Sequence, residues 1–179
     1  MTHLVALCLF APLLAYLCWK DCRQRVLPNA GTFAFALLAA VWRFVADGAG
    51  GVMDGILGGL ACAGFLLIPF LLKAAGGGDV KMLFAVGVLT GLRFCVAELL
   101  FVSIAGLLLG LFMVLTRRVV VARLVHCVRS VFDFRYDRAA GRAALPSAAD
   151  ERCRIPFGVA IALGTVVTLA YAWNLEAAP

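Results

Sequence analysis

The sequence predicts an all-α fold, a polytopic membrane bundle of about six transmembrane helices, and three observations carry that prediction. Of the 179 residues, 64% are hydrophobic and 15% charged, with a mean hydropathy of +1.03, whereas soluble domains use about 45–50% apolar residues. The apolar residues fall in long runs, and the charges gather between them. Irregular backbone cannot face lipid, so a core of this composition has to be assembled from spanning helices. The chain reads as one membrane-embedded domain, 1–179, that includes a surface segment at 117–154.

The first run, Leu4 to Trp19, holds sixteen residues and is ended by Lys20. A secretory signal needs a basic start and a small-residue cleavage site, whereas His3 is the one candidate basic residue before this run and Leu17, Cys18 and Trp19 close it. It is expected to be a retained span. The second run extends from about Ala30 to Ala46, interrupted only by Arg43, and the third from about Gly51 or Val52 to Leu72, where Pro69 is expected to introduce a kink. The fourth, Met82 to Leu92, is eleven residues long. That is short of the roughly 17–25 residues a span requires, unless Asp79, Val80 and Lys81 begin it. The fifth runs from about Phe94 to Thr116, with Arg93 and Glu98 marking the turn before it, and the sixth from Phe157 to Trp173.

Basic residues orient these runs. The segments Lys20 to Asn29, Lys73 to Lys81 and Arg117 to Arg154 hold fourteen of the sixteen Lys and Arg, leaving only Arg43 and Arg93 elsewhere. The positive-inside rule places those three segments in the cytoplasm and both termini outside. A net charge of +6 concentrated this way indicates membrane orientation, and nucleic acid is not an expected partner. One consequence concerns two acids. Asp21 and Asp79 are separated by an out-and-back pair of runs, so both should emerge on the same, cytoplasmic, face.

Gly76-Gly77-Gly78-Asp79-Val80-Lys81 stands out between two apolar stretches. An acid beside a membrane is a functional-site candidate, because an ionised carboxylate in hydrocarbon is costly. The glycines allow close backbone approach and positive φ, which would set Asp79 on an accessible turn. A helix N-cap after a glycine loop is the alternative for Asp79. A phosphate loop is excluded, since no Gly-Lys-Ser/Thr ending follows a strand. Asp21 opens a short connector, Asp21-Cys22-Arg23-Gln24-Arg25-Val26-Leu27-Pro28-Asn29, into the second run. Its plain alternative is a solvated acid paired with Lys20, Arg23 or Arg25. Two acids meeting at one membrane face favour a joint role.

Asp21 followed by Arg23, Leu27, Pro28 and Asn29, then Gly76-x-Gly78-Asp79-x-Lys81 two spans later, resembles the prepilin peptidase family of GxGD aspartyl proteases. The segment Ile155-Pro156-Phe157-Gly158-Val159-Ala160-Ile161-Ala162-Leu163-Gly164 is similar to the one that opens the last span in that family. The resemblance implies catalytic roles for Asp21 and Asp79, a substrate that is a prepilin-like precursor, and residence in the bacterial inner membrane. The bifunctional branch of the family carries a zinc-binding domain with paired Cys-x-x-Cys motifs and also N-methylates its product. Here only about nine residues separate the first two spans, and Cys8, Cys18, Cys22, Cys62, Cys95, Cys127 and Cys153 show no metal spacing. No metal or other cofactor is expected. The chain therefore resembles the compact branch that serves tight-adherence or Flp-type pili, with peptidase and no methyltransferase activity.

Carboxylate-pair chemistry follows from two such acids. Brought close, they cannot both ionise easily, so one proton is shared. One acid accepts a proton from water while the other donates to the scissile carbonyl. Lys81 could hold Asp79 or serve as an interfacial cation. Gly76 and Gly78 are assigned to backbone approach. Cys22 neighbours basic groups that favour a thiolate, but no histidine is placed to serve a cysteine nucleophile.

Within 117–154, Val121, Leu124, Val125, Val128, Val131 and Phe132 form an apolar helical stripe opposite Arg118, Arg123, His126, Arg129 and Asp133. This predicts an amphipathic helix on anionic lipid, with docking of pilus-assembly machinery as the alternative. Residues 137–151 read as a linker. Two other functions stay open beside a leader peptidase: another GxGD intramembrane protease, and a non-catalytic membrane subunit of a pilus or secretion assembly.

Overall fold

The computed structural model describes residues 2–24, 27–71, 75–116 and 157–177. The amphipathic helix and linker expected within 117–154 lie outside them. Among the described residues all regular structure is helical: α1 (Thr2–Gln24), α2 (Asn29–Leu71), α3 (Gly77–Thr90), a 3₁₀ turn (Leu92–Phe94), α4 (Cys95–Leu115) and α5 (Phe157–Ala177).

The expected set of about six spans is not matched one for one. Four helices, α1, α2, α4 with its preceding 3₁₀ turn, and α5, are long and apolar enough to cross a membrane. The second and third expected spans are continuous in α2, whose 43 residues contain one non-helical residue, Gly48, at φ 67° and ψ −157°. Only glycine occupies that region without strain, and the chain turns back there. Asn29 at the start of α2 meets Lys81, while Arg43 ion-pairs with Asp54 beyond the bend. Phe70 packs on Gly77, one turn before Lys81, so residues 29–47 and 49–71 lie antiparallel. The break falls at Gly48 and not at Pro69, which sits in the last turn of α2 with its carbonyl accepting from Ala75 N–H at 3.3 Å. The short fourth run does begin ahead of Met82, at Gly77, but its 14 residues still fall below spanning length.

Side-chain and backbone contacts give the bundle two ends. Phe10 packs on Phe35 and Leu17 on Gly31, so α1 and the first half of α2 are antiparallel. Gly55, Gly58 and Gly59 pack on the α3 backbone at Val88, Gly87 and Phe84, where an added Cβ would come within 2.7 to 2.8 Å of a carbonyl oxygen. Such close approach matters in lipid, which is as apolar as leucine and leaves packing, not water exclusion, to hold helices together. Gly164 against Val102, and Gly106 against Phe157, set α4 antiparallel to α5. Large apolar side chains such as Leu37, Val45, Val96, Leu107 and Leu115 face outward, as a lipid-facing surface requires.

At one end Arg43 clamps the Gly48 bend, pairing with Asp54, with Asp47 at 3.2 Å, and donating from Nε to Gly51 O at 3.1 Å. His3 and Glu176 pair at 3.0 Å at the same end. Asp21, Leu27, Asn29, Gly78, Lys81 and Gly158 mark the opposite end. Glu98, expected at a turn, instead lies in the first turn of α4 and is fully buried.

Candidate active site

Asp21 is not in a connector: α1 continues past Lys20 to Gln24 and carries the acid on its last turns. The residue is 5% exposed, so a solvated juxtamembrane acid does not describe it. The chain fills this pocket from far away in sequence. The backbone N–H of Gly158, at the start of α5, donates to Asp21 Oδ2 at 2.8 Å. The first N–H groups of a helix have no partner inside it, and the helix dipole favours negative charge there, so the α5 N-terminus is a fitting seat for a carboxyl group. A Cβ at position 158 would stand 2.7 Å from Asp21 Oδ2, which leaves room for glycine alone. Cys18, one turn before Asp21, donates its thiol to the Gly158 carbonyl at 3.8 Å.

Asp79 is held in a similar way at the start of another helix. Gly76 is the N-cap of α3 and Asp79 its third residue, so Asp79 is not itself the N-cap. The carboxyl reaches back, and Gly76 N–H donates to Asp79 Oδ2 at 3.2 Å, the half of a capping box that a glycine N-cap permits. The acid thus lies within the first turn of α3, half-buried, and not on an open loop. Positive φ is not what the triplet supplies: among the described glycines only Gly48 and Gly91 adopt it. Gly78 supplies close approach, since a Cβ there would stand 2.9 Å from that of Leu27. Lys81 donates from Nζ to Asn29 Oδ1 at 2.8 Å and lies 5.9 Å over the Phe33 ring. It ties α3 to the start of α2.

Asp21 and Asp79 therefore occupy the same end of the bundle, on α1 and α3, and α5 packs against both helices. Each accepts a hydrogen bond from backbone N–H at the start of a helix. The described helix ends that flank the three sequence segments richest in Lys and Arg lie at this end, while Arg43 and Arg93 lie at the other. Gly158 had a signal in the Pro-Phe-Gly segment, but its partner could not be read from spacing. Cys22 is exposed beside this end.

An all-helical membrane bundle with two acids seated on helix N-termini at one end has the makings of a membrane-embedded hydrolase. Residues 8–111, more than half of the chain and including both acids, match the type IV leader peptidase family. The chain belongs to that family. No curated protein and no solved structure matched it.

Proposed function

We propose that this chain is an aspartic endopeptidase that removes the short leader from Flp-type prepilin-like precursors at the cytoplasmic face of the bacterial inner membrane, without N-methylating the product. The observation that carries the proposal is the placement of Asp21 and Asp79 at one end of the bundle, inside the region that matches the leader peptidase family. The concentration of Lys and Arg in the sequence just beyond the helix ends on that side supports a cytoplasmic orientation.

The chemistry is hydrolysis by a carboxyl pair sharing one proton. The ionised member takes a proton from water as the water oxygen bonds to the scissile carbonyl carbon, and the protonated member donates to the carbonyl oxygen. Collapse of the tetrahedral species breaks the C–N bond, with the proton taken from water passing to the leaving amine. Gly158 N–H and Gly76 N–H hold the carboxyl groups in place for this exchange. Peptide bonds within a helix are already hydrogen-bonded and shielded, so the bond that reaches this end must be extended. A precursor with a short basic leader, a glycine at the cut and an apolar helix directly after it meets that condition.

Purified protein incubated with a precursor, followed by mass spectrometry, tests the proposal. The expected product begins at the residue after the glycine and bears a free amino terminus. Cleavage inside the apolar helix, or a methylated terminus made by this protein alone, contradicts it.

A further inference from the structure

Glu98 is the one acid of α4, completely buried, and the carboxyl pair does not use it. Its Oε1 lies 2.9 Å from Thr165 Oγ1 on α5, and Thr165 Oγ1 lies 2.8 Å from the carbonyl of Ile161 one turn earlier. A hydroxyl has one hydrogen and a carbonyl oxygen can only accept. If Thr165 gave its hydrogen to Glu98, its contact with Ile161 would set two lone pairs against each other at 2.8 Å. Each contact has a full hydrogen of its own only when the threonine donates to Ile161, as helical threonines commonly do, and the glutamic acid donates to the threonine.

The surroundings agree with a neutral acid. Cys62 of α2 and Cys95 of α4 lie beside it, and Thr168 faces it from α5 with its own hydroxyl donating to Gly164 O at 3.0 Å. No described Lys, Arg or His pairs with it, and Oε2 has no hydrogen-bond partner among the described residues. An orphaned oxygen of an ionised carboxylate would be far more costly there than a neutral carbonyl oxygen.

We infer that Glu98 is a positioning residue: a protonated carboxyl group that fixes α5 on α4 through Thr165 and so holds the Gly158 N–H on Asp21. Thr165 and Gly158 are seven residues apart, about two turns, on the same face of α5. Rotation or sliding of α5 that breaks the first contact therefore moves the second. Gly164 packed against the Val102 backbone leaves α5 no Cβ with which to resist sliding at that point, so the polar contact supplies the register.

The test compares Glu98→Gln, whose amide can still donate to Thr165, with Glu98→Leu and Thr165→Val, which keep volume and lose the bond. The infrared difference between wild type and Glu98→Gln should show the carbonyl stretch of a protonated acid, and its absence overturns the protonation. In ¹⁵N-glycine-labelled protein the Gly158 amide resonance, identified with Asp21→Asn, should move in Glu98→Leu and Thr165→Val and hold its place in Glu98→Gln. An unmoved resonance in Thr165→Val overturns the coupling even if Glu98→Leu does not fold. These two measurements do not depend on catalysis. The third rests on the proposed function: kcat should fall about two- to tenfold in Thr165→Val, the worth of one neutral hydrogen bond, with KM little changed, while Glu98→Gln stays near wild type. A loss in Glu98→Gln equal to that in Thr165→Val overturns the donor role.

Discussion

Gly158 and Asp21 are joined by a 2.8 Å hydrogen bond across 137 positions of the chain, so the first and last helices meet at one carboxyl group. Asp79 has its counterpart in Gly76, only three residues away. One acid is thus seated by tertiary packing and the other by its own helix, and the two should respond differently to mutation.

Gly158→Ala should displace Asp21, because the new Cβ would stand 2.7 Å from Oδ2. The expected cost is the bond to the carboxyl group, about 1.5–3 kcal/mol, or roughly ten- to a hundredfold in precursor cleavage. Steady-state cleavage together with a thermal melt checks this, and full activity would show that the bond is incidental.

Gly48→Ala should destabilise the protein without touching the acids. No atom lies within 4 Å of the added Cβ, so the effect is backbone strain at φ 67°, about 1–3 kcal/mol. Gly58→Ala should also destabilise, by a different route, since its Cβ would stand 2.7 Å from the Gly87 carbonyl oxygen. Thermal unfolding in detergent compares them. A melt unchanged by Gly48→Ala would mean that the bend relaxes freely.

Much of this was legible before the structure. Apolar run lengths placed the helix order, and Gly-x-Gly-Asp pointed to the α3 start because a break, an acid and an apolar run adjoin there. Other features depend on partners far away in sequence. Lys20, Asp21 and Arg23 read as the end of a span, yet α1 keeps its hydrogen bonds through them, since a helix can continue beyond its apolar stretch. Glu98 read as a turn residue because, with Arg93, it is a charge between two apolar runs, while the threonine that receives it is 67 positions on. Gly48 sat among Asp47, Gly50 and Gly51 with nothing local to single it out as the bend.

Positions 22 and 47 should label from opposite sides of the membrane. They lie at opposite ends of the bundle, with Cys22 one residue after Asp21 and Asp47 on the Arg43 clamp. Single cysteines at each site in a cysteine-free background, probed with an impermeant reagent, decide it. Labelling of both from one side would break the argument that an out-and-back pair of spans returns Asp79 to the face of Asp21. Cys22→Ser should leave cleavage near wild type, and inactivation by that change would revive a thiol nucleophile.

The most direct test is precursor cleavage by Asp21→Asn and Asp79→Asn, each reconstituted in lipid and shown to be folded by its melt. Asparagine keeps the size and the acceptor oxygen that Gly158 or Gly76 N–H bonds, and removes the proton that a carboxyl pair must share. Each variant should lose cleavage entirely while still inserting and binding precursor. Cleavage at near wild-type rate by either one would show that its acid is not part of the catalytic pair.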